Sequence, residues 1–257
     1  MNNIGNYISH ARFWDWGGID RSCEFEYWLK YAQSYGCNVL MPMCALAEAG
    51  AYLAERGLAV TAFDITPDMV DEGKKRFGET PGLLILEGNI CDFHFDISPA
   101  DFCYCTDFGH LHSTEDIQKA LLCINKHLRP GGGLVIETSI RHPRKKSSHT
   151  TPQTFHPQKQ IYPDLKVWKT SENRYDAEAG RQYISQTFYA EDTNGKIDTF
   201  DHEFYMQEYF RIDWLEALKK CGFEIKNEYS DRDKSLWRDT DMFWIVEAIA
   251  NDFRNRD

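Results

Sequence analysis

Two patterns of hydrophobic residues alternate along the first 140 positions. Short apolar runs are separated by longer segments in which apolar residues recur at helical spacing. The runs predict strands at residues 38–41, 59–63, 83–87, 101–105 and 134–138. The segments between them predict helices at residues 48–56, 66–77 and 114–127. Alternation of this kind is typical of βαβ units, so the sequence predicts a mostly parallel sheet.

Residues that begin and end helices support these boundaries. Thr66 suits an N-cap, and Pro67 suits the first helical position. Ser113 and Asp116, three positions apart, predict a capping box at the next helix. Gly57 follows the first of these helices and favours the left-handed conformation that often ends a helix.

The first 37 residues are rich in aromatic side chains and lie before the first predicted strand. Phe25, Trp28 and Leu29 share one face of a predicted helix at 24–32. This segment is therefore interpreted as a helical cap on the main domain.

The pattern changes after Arg141. Residues 142–165 contain four prolines and little periodicity, and apolar or alternating segments follow at 165–170, 182–190 and 197–209. Asn194-Gly195 is a strong hairpin signal between the last two segments. We therefore expect an antiparallel β insertion at 141–211 that covers the active site.

The last part of the chain returns to the earlier rhythm, with a predicted helix at 213–220. A predicted hairpin of strands at 223–229 and 242–250 completes the sheet. The fold class is α/β: a Rossmann-like, doubly wound sheet of seven mostly parallel strands with a C-terminal antiparallel strand. Residues 1–140 and 212–257 would form the main domain.

Composition restricts the partners. A net charge of -11 over 257 residues disfavours nucleic acid. The sequence contains no run of 18 apolar residues, so no membrane span is expected. The N-terminus does not resemble a signal peptide. None of the eight cysteines forms a C-x-x-C pair, which favours a reducing, cytoplasmic setting. Oligomeric state stays open.

A ligand site is expected at the carboxyl ends of the strands, where doubly wound sheets bind ligands. Asp64 follows the second strand, about 20 residues beyond the first loop, where an acid can accept hydrogen bonds from a ribose. The first loop lacks the glycines that receive a dinucleotide pyrophosphate, and Glu48 would repel a diphosphate. A nicotinamide-dependent oxidoreductase is therefore disfavoured, whereas a cofactor with a positive amino acid tail is favoured.

Five sequence blocks together resemble class I S-adenosylmethionine-dependent methyltransferases. In order, they are NVLMPMCALAEAGAYLAERG, VTAFDITPDMV, LEGNICDF, DFCYCTDFGHLH and LRPGGGLVIE. The resemblance covers residues 25–140 and 212–250. The aromatic N-terminus and the insertion are similar to small-molecule members such as glycine and amino-sugar N-methyltransferases. The resemblance implies methyl transfer from S-adenosylmethionine to a nitrogen or oxygen of a small-molecule acceptor.

The resemblance also implies a cofactor site. The loop that includes Met43, Cys44 and Ala45 would pass under the methionine part of the cofactor, and Asp64 would bind the ribose hydroxyls. The remaining expected contacts are Ile65, Met69, Asn89 and Ile90 at the adenine, Thr106 near the sulfonium, and Tyr7 and Trp14 closing over the cofactor.

One feature departs from the family pattern. Positions that usually hold glycine carry Met43, Ala45 and Ala47, although alanine adopts positive φ only at a cost. An alternative function therefore stays open. The chain could bind S-adenosylmethionine or S-adenosylhomocysteine without catalysis, as a sensor or partner protein.

Asp107, His110 and His112 follow the fourth strand, where the reacting methyl group would lie. One of them could act as general base; the alternative is a polar loop. His110 and His112 have no third ligand at useful spacing, so no metal is expected. In the insertion, Tyr183, His202, Tyr205 and Tyr209 are candidates for the acceptor site or for ordinary sheet packing.

Overall fold

A computed structural model of the chain describes residue 11 and residues 21–106, 108–142, 147–162 and 164–251. Within these ranges the strands are β1 (Asn38–Pro42), β2 (Ala59–Asp64), β3 (Leu83–Glu87), β4 (Ala100–Cys105), β5 (Leu128–Ser139), β6 (His149–Thr150), β7 (Thr154–Tyr162), β8 (Leu165–Asp176), β9 (Arg181–Asp192), β10 (Ile197–Gln207), β11 (Phe223–Tyr229) and β12 (Phe243–Ala250). The helices are α1 (Ser22–Tyr35), α2 (Glu48–Ala54), α3 (Pro67–Phe77), α4 (Thr114–His127) and α5 (Arg211–Lys220).

Seven strands form the main sheet in the order β11-β12-β5-β4-β1-β2-β3. β1 pairs in parallel with both β2 and β4, and β12 lies antiparallel to both β5 and β11. The predicted fold class is therefore confirmed, including the antiparallel strand near the C-terminus.

Hydrophobic layers cover both faces of this sheet. β4 is buried from Phe102 to Cys105, as a central strand of a parallel sheet should be. On one face, Trp28 of α1 stacks on Tyr104. On the other face, α4 and α5 contribute Leu121 and Trp214, which are fully buried. Cys103 and Cys105, with their Sγ atoms 3.6 Å apart, belong to this second core.

A second sheet has the strand order β10-β9-β8-β6, with β7 also paired to β8. Its pairings are antiparallel. The antiparallel character of the insertion is thus as predicted, but β6 and β7 fall in a segment for which the sequence indicated little periodicity. The prolines are tolerated because Pro152 lies between the two strands and Pro157 lies at a register shift in β7.

The chain enters and leaves the second sheet at adjacent points. The backbone N–H of Arg141 donates to the carbonyl of Tyr209 at 2.7 Å. The Arg141 guanidinium lies 4.9 Å from the Phe210 ring and donates to the carbonyls of Ala177 and Glu178. This contact ties the base of the second sheet to the end of β5.

Some strand boundaries in the structure differ from the predicted ones. β5 begins at Leu128 rather than at 134, because the Pro-Gly-Gly segment forms a register shift against β4 instead of a break. β8 is longer than predicted, and β10 ends at Gln207, two residues early. The Ser113 cap is confirmed, since its Oγ accepts from the Asp116 N–H at 3.0 Å. Thr66 is the N-cap of α3 but forms no side-chain cap bond, because its hydroxyl interacts with Asp64.

No helix in the described part of the chain is long and apolar enough to cross a membrane.

Asp101 joins four elements at the amino ends of the central strands. Its Oδ2 accepts from the N–H groups of Cys37 and Asn38, and its Oδ1 accepts from Arg129 Nε at 2.6 Å. Arg129 also donates to the carbonyl of Tyr35. One carboxylate therefore fixes the end of α1 and the start of β1 against β4 and β5.

Replacing Asp101 by alanine should destabilise the protein. The substitution leaves two backbone N–H groups and one guanidinium without their acceptor, which costs about 2 kcal/mol in the free energy of unfolding. Urea denaturation measures the change, and Asp96→Ala, at an exposed position, is the matched control. Equal stability of the two variants would contradict the role of Asp101.

The same contacts predict a pH dependence. Burial tends to raise the pKa of Asp101, but its hydrogen bonds from Asn38, Arg129 and Cys37 lower it below the ordinary value of 3.8. A depressed pKa in the folded state means that this stabilisation is present above the ordinary pKa and is lost as the pH falls through the folded-state value. Urea titrations from pH 6 downwards should show a smaller acid-induced loss in Asp101→Asn than in the wild type.

Candidate functional site

The strand order of the main sheet reverses at β1, which lies between β2 and β4. Ligands of doubly wound sheets bind outside the carboxyl ends of the strands at such a reversal. In this protein the loop after β1, Asp64 at the end of β2 and the turn after β4 meet at that edge. The candidate site is built from these three segments.

The loop after β1 has the backbone shape of a glycine loop without the glycines. Met43, Ala45 and Ala47 have φ values of 55°, 49° and 63°, in the left-handed region. Each L-residue there costs roughly 1–2 kcal/mol relative to a right-handed conformation. These are the three positions where the resemblance leads us to expect glycine, so the loop keeps the expected conformation at an energetic cost.

Hydrogen bonds and a close helix contact hold this loop. The Cys44 N–H donates to the Phe63 carbonyl at 3.1 Å, and the Ala47 N–H donates to the Cys44 carbonyl at 2.8 Å. A Cβ on Gly73 of α3 would lie 2.7 Å from the Leu46 carbonyl oxygen. Only glycine at position 73 lets α3 approach the loop this closely. Sequence reasoning missed Gly73, although an isolated glycine within a helical pattern is a signal of close packing.

Asp64 connects the loop to the start of α3. Its Oδ2 accepts from the Ala45 N–H at 2.9 Å, and its Oδ1 accepts from the Thr66 N–H at 3.0 Å. A carboxylate offers about four acceptor positions. These two bonds and the hydrogen bond from the Thr66 hydroxyl leave capacity for one further donor. Burial raises the pKa of Asp64, against the opposing effect of these bonds and of the nearby His110.

The expected adenine contacts lie at the ends of β2 and β3. Ile65 and Asn89 are half-buried, and the Asn89 Oδ1 accepts from the Cys91 N–H at 2.9 Å, which forms a turn. Ile90 is part of the hydrophobic core with Phe63. Met69 is 1% exposed and packs with Leu46 and Ala11. Asn89 therefore has a structural role in a turn, and Ile90 and Met69 have structural roles in hydrophobic clusters.

The turn after β4 contacts the second sheet. Phe108–His110 form a short 3-10 helix, and Phe108 is buried edge-on against Trp214. The His110 ring lies 5.4 Å from the Phe204 ring, and a Cβ on Gly109 would be 2.9 Å from Met206 Cε. The end of β10 therefore covers the place where Thr106, half-buried, leaves β4.

His112 lies against the other face of β10. Its ring stacks on Tyr205 with centroids 3.9 Å apart, and its Nε2 is 3.3 Å from the Tyr205 carbonyl oxygen. Burial lowers the pKa of His112, so the imidazole is neutral at neutral pH. If Nε2 donates to this carbonyl, Nδ1 is the nitrogen left to accept a proton.

The four candidates in the insertion have different surroundings. Tyr183 lies 5.8 Å from Tyr205, and both rings line the face that carries His112. His202 is buried and stacks on Phe204, on the face that meets His110. The Tyr209 hydroxyl donates to the Leu111 carbonyl at 2.6 Å, which gives Tyr209 a structural role.

Three predicted site residues, Tyr7, Trp14 and Asp107, lie outside the described residues. Among the residues that are described, no group of three His, Cys, Asp or Glu side chains is arranged to hold a metal ion. Sequence reasoning also missed Phe204 and Met206, because only the fold shows that the end of β10 covers the turn after β4.

The chain is similar to known methyltransferases. Residues 39–132 match the family model described as a methyltransferase domain. The Bacillus subtilis (strain 168) protein named "Putative methyltransferase YqeM" is 22% identical over 241 residues, covering 87% of this chain and 85% of that protein.

Two solved structures have the same fold. A S-adenosylmethionine-dependent methyltransferase from Clostridium acetobutylicum ATCC 824 has a TM-score of 0.76 at 14% identity, covering 95% of this chain and 99% of that one. The sugar N-methyltransferase KedS8 from Streptoalloteichus sp ATCC 53650 has a TM-score of 0.72 at 18% identity, covering 95% and 93%.

The fold and this site define a class I methyltransferase domain. The resemblance in the sequence is confirmed, because residues 39–132 match a methyltransferase domain and the whole fold is that of S-adenosylmethionine-dependent methyltransferases.

Relieving the left-handed strain should stabilise the protein. Ala45→Gly removes a Cβ penalty of roughly 1–2 kcal/mol and adds unfolded-state entropy worth about 0.4–1 kcal/mol, so the free energy of unfolding should rise by about 0.5–1 kcal/mol. Urea denaturation measures the change.

The matched control for this prediction is Ala51→Gly in the interior of α2. There the same substitution should lower stability by about 1 kcal/mol or more, because glycine is unfavourable within a helix and a buried methyl group is lost. A loss of stability in both variants would show that the loop is not strained.

Proposed function

We propose that this enzyme transfers the methyl group of S-adenosylmethionine to a nitrogen or oxygen of a small molecule held between the main sheet and the second sheet. The observation that carries the proposal is the loop after β1. Its three left-handed residues and its bond to Asp64 reproduce a cofactor loop although its glycines are absent. Such strain persists where the surrounding structure and a function maintain it.

The residues present fit the adenosyl cofactor. Asp64 keeps acceptor capacity for a ribose hydroxyl, and its carboxylate is held in place from two sides. Glu48 opens α2, where a negative side chain is unfavourable for a diphosphate and compatible with an ammonium group. When bound, the cofactor supplies a methyl group on a sulfonium sulfur, which keeps the electron pair of the broken C–S bond and leaves as S-adenosylhomocysteine.

The position of β10 supports a small acceptor. Phe204 and Met206 lie over the turn after β4, and Tyr205 lies against His112, so the second sheet encloses this edge of the main sheet. An enclosed site excludes water and orients the acceptor for direct displacement. The neighbour KedS8, named as a sugar N-methyltransferase, has the same fold and so supports an acceptor of this size.

The two histidines supply the acid–base chemistry that a hydroxyl acceptor would need. The acceptor lone pair forms the new bond to carbon, and the acceptor proton then leaves to a base or to water. An amine present as the free base needs little assistance, whereas a hydroxyl needs a positioned base. His112 is neutral at neutral pH because burial lowers its pKa, and His110 lies beside Phe204 and close to Asp64.

Calorimetric titration with S-adenosylmethionine and S-adenosylhomocysteine tests the cofactor half of the proposal. Asp64→Asn removes the charge but keeps one acceptor oxygen, so the loop contact is partly retained. The dissociation constant should rise at least about tenfold, as expected for a lost charged hydrogen bond. Asp71→Asn, on the exposed side of α3, should bind like the wild type.

The acceptor half is tested by S-adenosylhomocysteine release over a panel of small amines and hydroxyl compounds. Turnover with at least one of them supports the proposal. Tight cofactor binding with no turnover on either class would instead favour a sensor or partner protein that binds the cofactor without catalysis. No binding by the wild type would mean that the loop has closed the site.

A further inference from the structure

Arg181 is a fixed arginine at the edge of the candidate acceptor site. It opens β9, and its Nε donates to Gln207 Oε1 at 2.9 Å. The Gln207 amide is itself held, because its Nε2 lies 2.9 Å from the Ala179 carbonyl and 3.0 Å from the Gly180 carbonyl. The guanidinium is thereby oriented, with its carbon 4.9 Å from the centre of the Tyr205 ring.

Among the described residues, no acidic side chain pairs with the terminal nitrogens of this guanidinium. Across the described ranges, no carboxylate lies within ion-pair distance of Arg181, whereas Arg129, Arg211 and Arg232 each pair with one. Asp176 is opposite Arg181 in the β8–β9 register, but its Oδ1 accepts from the N–H groups of Glu178 and Ala179. A half-buried arginine without a carboxylate partner in the described part of the chain is unusual in a protein with a net charge of -11.

Arg181 lies within electrostatic range of the loop after β4. Tyr205, which it contacts, stacks on His112. Burial lowers the pKa of His112, and the charges of His110 and Arg181 act in the same direction, against the hydrogen bond to the Tyr205 carbonyl and the charge of Asp116. A second cation lies on the same face of the second sheet, since the Arg174 guanidinium carbon is 4.0 Å from the centre of the Tyr183 ring.

We propose that Arg181 binds an anionic group of the methyl acceptor, so that the acceptor class is a small molecule carrying a carboxylate or a phosphate. The inference rests on the proposed methyl transfer and names its substrate class. A guanidinium whose Nε is occupied still presents its two terminal NH₂ groups, which match two oxygens of either anion. Gln207 is the positioning residue, because it sets the direction of this donor pair.

The first experiment uses acetate and inorganic phosphate as probes. Each is titrated into the full-length protein, with and without saturating S-adenosylhomocysteine, and binding is followed by calorimetry. The wild type should bind at least one of them saturably, and Arg181→Gln should weaken that binding at least about tenfold. Arg238→Gln, an exposed arginine without a side-chain carboxylate bond, is the matched control and should not change it.

The two probes also distinguish the two anions. Preferential binding of acetate assigns a carboxylate, and preferential binding of phosphate assigns a phosphate. No saturable binding of either probe, or equal binding by wild type and Arg181→Gln, overturns the inference. The titration without S-adenosylhomocysteine reads the anion site even where the adenosyl ligand fails to bind, so failure of the inference and failure of the proposed function are separable.

The second experiment pairs each candidate acceptor with its neutral analogue, an amide for a carboxylate or the dephosphorylated compound for a phosphate. The anionic member should have a kcat/KM at least about tenfold higher in the wild type, and Arg181→Gln should remove this preference mainly through KM. Arg181→Lys, which keeps the charge, should restore part of it. An unchanged preference in Arg181→Gln with normal S-adenosylhomocysteine binding would contradict the assignment.

Discussion

The carboxylate of Asp64 is the contact on which the candidate site depends. It accepts one backbone N–H from the loop after β1 and another from the start of α3. The bond to Asp64 helps to hold Ala45 in the left-handed region, where alanine is strained. A single side chain thus holds the loop shape while it retains capacity to accept a further hydrogen bond. The raised pKa that accompanies its burial is the electrostatic cost of this position.

Local patterns were sufficient to predict the main sheet, because each buried strand is an apolar run and each helix has its own periodicity. The Ser113 cap was predictable because it needs only residues three positions apart. β6 and β7 were not predictable, since their pairing with β8 depends on register and their prolines suggest a loop. The true start of β5 was missed because Pro130 and the glycines after it usually end a strand, whereas here they form a register shift.

The site was predictable only in part, for the same reason. Asp64 and the loop after β1 follow their strands directly, so their meeting at one edge of the sheet follows from the fold class. Arg181 and Gln207 are 26 positions apart, and only the β9–β10 register brings them together. The contact of Phe204 with His110 requires the second sheet to fold back over the first, which no local pattern specifies.

The joint at Arg141 and Tyr209 has a consequence for how such enzymes diversify. The chain enters and leaves the second sheet through neighbouring backbone groups. The polypeptide between them is therefore an insertion whose two ends meet at one place on the main fold. Its length and lining could be exchanged without moving the loop after β1, since the ends to be rejoined are already adjacent. Acceptor choice and cofactor binding could therefore evolve as separate, interchangeable modules on one scaffold.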